Sequence, residues 1–305
     1  MIIACKKCKT RFNLDEKITE KSAFMVRCSM CNHVFTAYKL PQTEAPLLIK
    51  DEVKPFRDRI IAIINQKGGV AKTSTCLNLG ISMSLLKKRV LLVDFDVQAN
   101  LTISLGYKKI KSFYEVFQSD TNGLSGVIKK TKYPNLWLLP SNSNMALLTK
   151  KHSNKSNSGY LLRDKLNLVK DRFDLIIIDT PPSIEFFTLN ALIASSFVII
   201  PSQCEYFSTH GVDKVEKIIQ IINQKTNQDI DYKILVTMYD AKSTSSKVVF
   251  AKLKSKYKEK AFNTIIELDN KIQESQILNV PVIYYDKESR SSTQYLNLAK
   301  EILGE

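Results

Sequence analysis

Acidic residues are in short supply. The 305-residue chain carries 30 Asp and Glu against 45 Lys and Arg, a formal net charge of +15. That imbalance favours an anionic partner, nucleic acid ahead of an anionic membrane surface, although a solvated lysine-rich exterior gives the same total. Glycine and proline number nine each, which excludes collagen-like and low-complexity chains. No apolar run approaches the ~20 residues that span a bilayer. The start, Met1-Ile2-Ile3-Ala4-Cys5-Lys6-Lys7-Cys8, lacks a basic region leading into a long apolar stretch, so no secretory leader is expected. The reading is a soluble cytoplasmic protein without a membrane partner. What remains is 44% hydrophobic and 25% charged, the balance of a globular chain.

Cysteine is unevenly spread. Four of six lie near the N-terminus, as Cys5-x-x-Cys8 and Cys28-x-x-Cys31 with 19 residues between the pairs. In a reducing compartment such pairs point to metal or redox chemistry before structural disulfides. Residues 1–40 are too few to bury a useful core and need a staple. Two thiolate pairs on tight knuckles complete a tetrahedron around Zn²⁺, and the metal then supplies much of the folding free energy. Iron in the same shell is the rival, and a redox pair fits a closed four-cysteine site less well. His33 is left outside the shell because four cysteines fill it. Pro41, Pro46, Pro55 and mixed charges mark 41–57 as a linker.

From residue 58 onward, apolar segments alternate with amphipathic ones. Strands are expected at Ile60–Asn65, Val90–Phe95, Leu136–Leu139, Leu175–Asp179, Phe197–Pro201, Ile234–Met238 and Ile265–Ile266. Their Ile/Leu/Val content without alternation suits parallel strands buried on both faces. Helices fit at Lys72–Lys87, Ile184–Ala194, Val212–Asn223, Ser245–Tyr257 and Thr293–Leu303. The fold class is α/β: a mostly parallel, twisted sheet flanked by helices.

The first strand runs into Asn65-Gln66-Lys67-Gly68-Gly69-Val70-Ala71-Lys72-Thr73-Ser74 and then a helix. A glycine turn opening a helix presents backbone amides to phosphate. Lys72 would reach the β- and γ-phosphates, and the Thr73 hydroxyl would bind Mg²⁺. The common G-x-x-x-x-G-K-[ST] pattern fails at Gln66 and Ala71, and an extra lysine, Lys67, stands beside the glycines. Ala71 is expected to keep a negative φ and to accommodate its methyl group.

This deviant phosphate loop is followed, in order, by Leu91–Asn100 (Leu-Leu-Val-Asp-Phe-Asp-Val-Gln-Ala-Asn), Ile178–Ser183 (Ile-Asp-Thr-Pro-Pro-Ser), Gln203–Phe207 and Tyr285–Ser289. Together they resemble the ParA/MinD branch of P-loop ATPases, most closely the ParA partition type, through residues 58–305. The N-terminal unit resembles a short bacterial zinc ribbon, carried by Thr10-Arg11-Phe12, Arg27 and His33-Val34-Phe35 around the cysteines.

The resemblance implies ATP and Mg²⁺ as cofactors beside Zn²⁺, and nucleotide contacts from Lys67 through Ser74. It makes Lys67 a cation that crosses a dimer interface to the partner's nucleotide, coupling ATP to homodimerisation; an exposed loop lysine is the bland reading. Asp94 becomes a magnesium-side residue, Asp96 the carboxylate that orients or activates the attacking water, and Asp179 a Mg²⁺ holder through water. Solvated strand-end aspartates are the alternative for the first two. Val97 stands where the family usually has proline.

Between Lys242 and Lys260 lie seven lysines and one acid, Glu259. Val249, Leu253 and Tyr257 form an apolar row, and Lys252, Lys256 and Lys260 a parallel basic one. A solvated helix face explains any single lysine. As a cluster they match the place where ParA relatives hold DNA without sequence preference, with Lys242 and Lys271 where those relatives have arginines. The implied protein is nucleoid-associated, partnered by a ParB-like or other cargo-linked activator. A MinD-like membrane ATPase, an iron–sulfur carrier and a regulator using ATP only to dimerise are the other readings. Cys76 and Cys204 form no Cys-x-x-Cys pair and read as small buried residues.

Overall fold

The computed structural model describes residues 2–5, 7–8, 10–13, 23–38, 60–117, 123–152, 157–205 and 208–305. It divides into two compact units, Met1–Lys54 and Pro55–Glu305. The expected linker at 41–57 falls outside the described residues.

The N-terminal unit holds two antiparallel hairpins. β1 (Ile2–Ala4) pairs with β2 (Arg11–Asn13), and β3 (Ala23–Arg27) with β4 (Val34–Tyr38). Its buried apolar core is Cys5, Cys28 and Phe35, with Phe12, Val26 and Cys31 packed against them. So small a core leaves the cysteines as the centre of the unit.

The large unit is built on β5 (Ile60–Ile63), β6 (Val90–Asp94), β7 (Lys129–Lys130), β8 (Leu136–Leu139), β9 (Leu175–Asp179), β10 (Phe197–Gln203) and β11 (Asp231–Thr237). They form one sheet in the order β11-β10-β5-β9-β6-β8-β7, parallel except for the β7–β8 edge. Every residue of β5, β6 and β9 is buried, as their unbroken apolar composition requires.

The helices are α1 (Lys72–Leu85), α2 (Asn100–Ser104), α3 (Ala146–His152), α4 (Leu161–Leu166), α5 (Phe186–Ala194), α6 (Ser208–Thr226), α7 (Thr244–Tyr257), α8 (Asn270–Ile277), α9 (Val282–Tyr285) and α10 (Arg290–Leu303). Alternate strand residues face opposite layers. Leu92 and Ile177 join Leu77, Leu79, Tyr295 and Leu298 under α1 and α10. Leu91 and Ile178 join Ala191, Val212, Val215 and Leu253 under α5, α6 and α7.

α1 lies close to the sheet at Gly80, where a Cβ would sit 2.5 Å from Leu92 Cδ2. Leu92 is itself fully buried.

The expected strand at Ile265–Ile266 does not form, and the chain there makes only isolated bridges alongside β11. The amides of Asn263 and Thr264 donate instead to the Glu301 carboxylate, at 2.7 and 2.8 Å. A side chain has taken the donors that a ladder would use. The first strand stops at Ile63 rather than Asn65, because Asn65 turns into the phosphate loop. α8, α2 and the β7 edge were not anticipated.

Candidate nucleotide site and thiolate centre

The phosphate loop joins β5 to α1 at the carboxyl ends of the parallel strands. Its carbonyls are fixed from behind. Asn65 Oδ1 accepts the Lys67 amide at 3.0 Å, while Asn65 Nδ2 donates to the Pro201 carbonyl at 2.7 Å. Gln203 Nε2 donates to the Gly69 carbonyl at 2.9 Å, and Thr237 Oγ1 to the Val70 carbonyl at 3.2 Å. In a trans peptide the C=O and the following N–H point opposite ways. Holding the carbonyls of Gly69 and Val70 therefore turns the amides of Val70 and Ala71 outward, toward an incoming anion.

Ala71 has φ 65° and ψ 31°, the left-handed region, and caps α1; Gly69 has φ 76°. The expected negative φ at Ala71 is thus wrong. The loop must reverse sharply to enter the helix, and the alanine bears a conformation suited to glycine. Ala71→Gly should raise unfolding free energy by about 1 kcal/mol, read as a higher urea midpoint at unchanged slope.

Lys72 is buried, and its ammonium donates to the Lys67 carbonyl at 3.1 Å. Burial lowers its pKa, against the nearby charges of Asp179 and Asp96. Asp179 pairs in register with Asp94 across β9 and β6. It is fully buried, and neither carboxylate oxygen has a hydrogen-bond partner. Burial, then the Asp94 charge, pushes its pKa well above the ordinary range, with the Thr73 hydroxyl opposing. A buried carboxylate without donors is costly. A hard divalent cation, which binds carboxylate and hydroxyl oxygens, would relieve it. Thr73 and Asp179 therefore fit Mg²⁺.

Asp94 is differently employed. Its Oδ2 accepts from the Thr102 amide at 2.8 Å and hydroxyl at 2.6 Å, and its Oδ1 from the Asp96 amide at 3.2 Å. Burial nevertheless raises its pKa to about 6. This carboxylate anchors α2 and the turn that carries Asp96, a duty the sequence reading did not assign. Asp96 Oδ1 accepts the Gln98 amide at 3.0 Å, and no described residue donates to its other oxygen.

Lys67 is exposed and makes an ion pair with Glu205, with Gln203 Oε1 3.3 Å away. Ser74 Oγ accepts from Gln276 of α8 at 2.7 Å. Sequence reading missed the loop-holding roles of Asn65, Thr237 and Gln276, because their partners lie over a hundred positions away.

The expected basic row on α7 is only partly open. Leu253 and Tyr257 are buried as expected. Lys256, however, pairs with Asp213 of α6 at 2.6 Å, and Lys260 pairs with Asp231. Lys271 pairs with Glu274 at 2.9 Å. Lys242 and Lys252 are exposed, and no described residue forms an ion pair with either. The structure does not bring the four lysines into one uniformly unpaired strip.

In the N-terminal unit, the sulfurs of Cys5, Cys8, Cys28 and Cys31 all lie within 4.8 Å of one another. Cys5–Cys31 is 3.6 Å and Cys8–Cys28 3.5 Å. A Zn–S bond of about 2.3 Å implies tetrahedral S···S edges of roughly 3.8 Å, whereas a disulfide needs about 2.05 Å. The Thr10 hydroxyl and amide hold the Cys8 thiol down to about 6. Knuckle bonds from the Cys5 amide to the Thr10 carbonyl and from the Cys28 amide to the His33 carbonyl, both 2.9 Å, point the sulfurs inward. His33 stacks on Phe35 at 6.2 Å instead of joining the cluster. The arrangement is a four-thiolate zinc centre.

Comparison with known proteins agrees with both sites. A family model described as an AAA domain matches residues 58–234, and a zinc-ribbon domain matches residues 1–36. The sporulation initiation inhibitor protein Soj of Bacillus subtilis is 36% identical over 80% of this chain and 98% of its own length. The chromosome partitioning protein ParA of Myxococcus xanthus is 34% identical over 80% of this chain and 88% of its own. Among solved structures, one titled cobyrinic acid a,c-diamide synthase from Mycobacterium smegmatis, with bound ADP and magnesium, is 32% identical. It superposes with a TM-score of 0.70, covering 80% of this chain and 94% of that one. The deviant phosphate loop, the parallel sheet around it and relatives matched along almost their entire length place this chain among the ParA-type P-loop ATPases, with a zinc ribbon at its N-terminus.

Proposed function

We propose that this protein is an ATP-driven positioning switch. It binds ATP with Mg²⁺, homodimerises in that state, holds DNA without sequence preference, and lets go after hydrolysis stimulated by a cargo-linked, ParB-like activator. Repeated cycles on the nucleoid segregate DNA or position another cargo. One observation carries the reading: an outward-facing amide loop ends at the buried Lys72 ammonium, beside an Asp179 carboxylate with no donor of its own. That pair suits a polyanion and its divalent cation.

In this reading Lys67 through Ser74 bind the nucleotide, and Thr73 and Asp179 hold Mg²⁺. Asp94 borders the metal and fixes the loop that carries Asp96, which orients the attacking water. Lys67 exchanges Glu205 for the partner protomer's phosphates, a cation brought to developing charge. Residues 1–40, 41–57 and 58–305 act as ribbon, linker and ATPase domain.

DNA contacts fall first to Lys242 and Lys252. Lys256 and Lys271 join by giving up exposed ion pairs that are each worth about 0–1 kcal/mol. Binding to non-specific duplex with ATP and with ADP, across a salt series, tests this. The expected result is ATP-dependent affinity whose logarithm falls with log salt by about 0.9 per phosphate contact, and which Lys67→Ala removes. Absence of binding in either state would return the lysines to a solvated face and leave the ribbon as anchor.

A membrane-bound alternative is less well supported. No described helix is long and apolar enough to cross a membrane. A surface anchor would need a free apolar face on the last helix, yet α10 buries Tyr295, Leu298 and Ala299 within the core shared with α1.

A further inference from the structure

A second cavity, of about 740 Å³, adjoins the phosphate loop and is not used by the nucleotide reading. Its lining includes Asn65, Lys67, Ser202, His210, Gly211 and Lys214. α6 begins here, a 19-residue helix with no acidic side chain in its first turn. Such a terminus offers unsatisfied amides and a partial positive charge.

Ser202 is the independent observation. It is 1% exposed, and its hydroxyl has no hydrogen-bond partner. Along β10, Val198, Ile200 and Cys204 belong to the core layer beneath α6, so strand alternation puts Ser202 on that same side. An orphaned buried hydroxyl therefore lies against the start of α6. Gly211 leaves the first turn bare: a Cβ there would come within 3.2 Å of Asn65 Oδ1. Lys214 adds an exposed ammonium at the rim. Lys67, held by Glu205, contributes little net charge.

We propose that this cavity is a second oxyanion site, for inorganic phosphate or a phosphate monoester, separate from the nucleotide loop. Ser202 Oγ donates to the anion, the first-turn amides of α6 surround it, and Lys214 balances its charge. A volume of this size also accommodates an organic group attached to the phosphate.

The test is calorimetric titration of inorganic phosphate into protein whose nucleotide loop is already saturated with ADP and Mg²⁺. It is repeated in Lys72→Ala protein without nucleotide. One equivalent of phosphate should bind in both. Ser202→Ala and Lys214→Ala should each weaken it at least tenfold while leaving ADP affinity unchanged. Lys258→Ala, a surface control, should have no effect. Glycerol 2-phosphate in a parallel titration assigns the site to an ester if it binds as tightly, and to the free ion if it does not.

No saturable binding in ADP-loaded and Lys72→Ala protein would overturn the proposal. So would binding that both cavity variants leave intact. Failure of ADP itself to bind would count against the nucleotide reading alone, because the Lys72→Ala titration proceeds without it.

Discussion

Lys72→Ala is expected to lower ATP turnover by roughly 10²–10³-fold, the scale for losing one preorganised charge donor at a transition state. The side chain is buried, and its single protein acceptor is the Lys67 carbonyl at 3.1 Å. The ammonium is thus already desolvated and aimed before any phosphate arrives. Asp179 and Asp96 supply compensating charge in the free protein. Removing Lys72 leaves the buried Asp179 with one cation fewer, so nucleotide affinity should fall along with turnover. Asp96→Ala provides the contrast. It should keep ATP binding, measured with a fluorescent analogue, and lose turnover, because no part of the phosphate loop depends on its carboxylate. Equal loss of binding in the two variants would remove Asp96 from the hydrolytic step.

Stripping the metal should unfold the N-terminal unit outright. Its buried apolar residues are Cys5, Cys28 and Phe35. Burying three such side chains yields about 1.5–3 kcal/mol each at best, while ordering each residue costs about 1–2 kcal/mol. The deficit is closed by the metal, at about 10–16 kcal/mol for structural zinc. A strong chelator, or Cys28→Ser, should abolish the dispersed amide signals of residues 2–38 and release about one equivalent of zinc per chain. The thermal transition of residues 60–305 should persist. A ribbon that keeps its dispersion without metal would refute the four-thiolate assignment, and iron in the released metal would redirect it.

The central strands were legible because buried parallel strands need unbroken apolar runs, and Leu175–Asp179 and Val90–Asp94 are such runs. α8 was not, because Asn-Lys-Ile-Gln-Glu-Ser-Gln-Ile has little apolar periodicity. Its available signal was Asp269, whose side chain accepts the Lys271 amide as an N-cap. The loop lysines and the four cysteines were legible from spacing. The φ of Ala71 was not, since a residue letter carries no dihedral. Asp94 was read for its charge, but its work is done with Thr102, eight positions on. Lys256 looked open along its own helix because Asp213 reaches it from another.

The close approach of α1 to the sheet at Gly80 makes that helix a lever. Gly80 lies eight residues from Lys72, roughly 12 Å along the axis, and takes no part in chemistry. Yet the core behind it is closed: Leu92 is fully buried and has no room to yield a methyl's width. A side chain at 80 would lift the helix, and a rigid helix carries the displacement to its other end. There the loop amides and the Lys72 ammonium would leave their places by about as much, and a 1 Å misplacement is enough to cost about 10²-fold in rate. The calibration of the catalytic end is therefore set partly at the far end of the helix, by the absence of a single carbon atom.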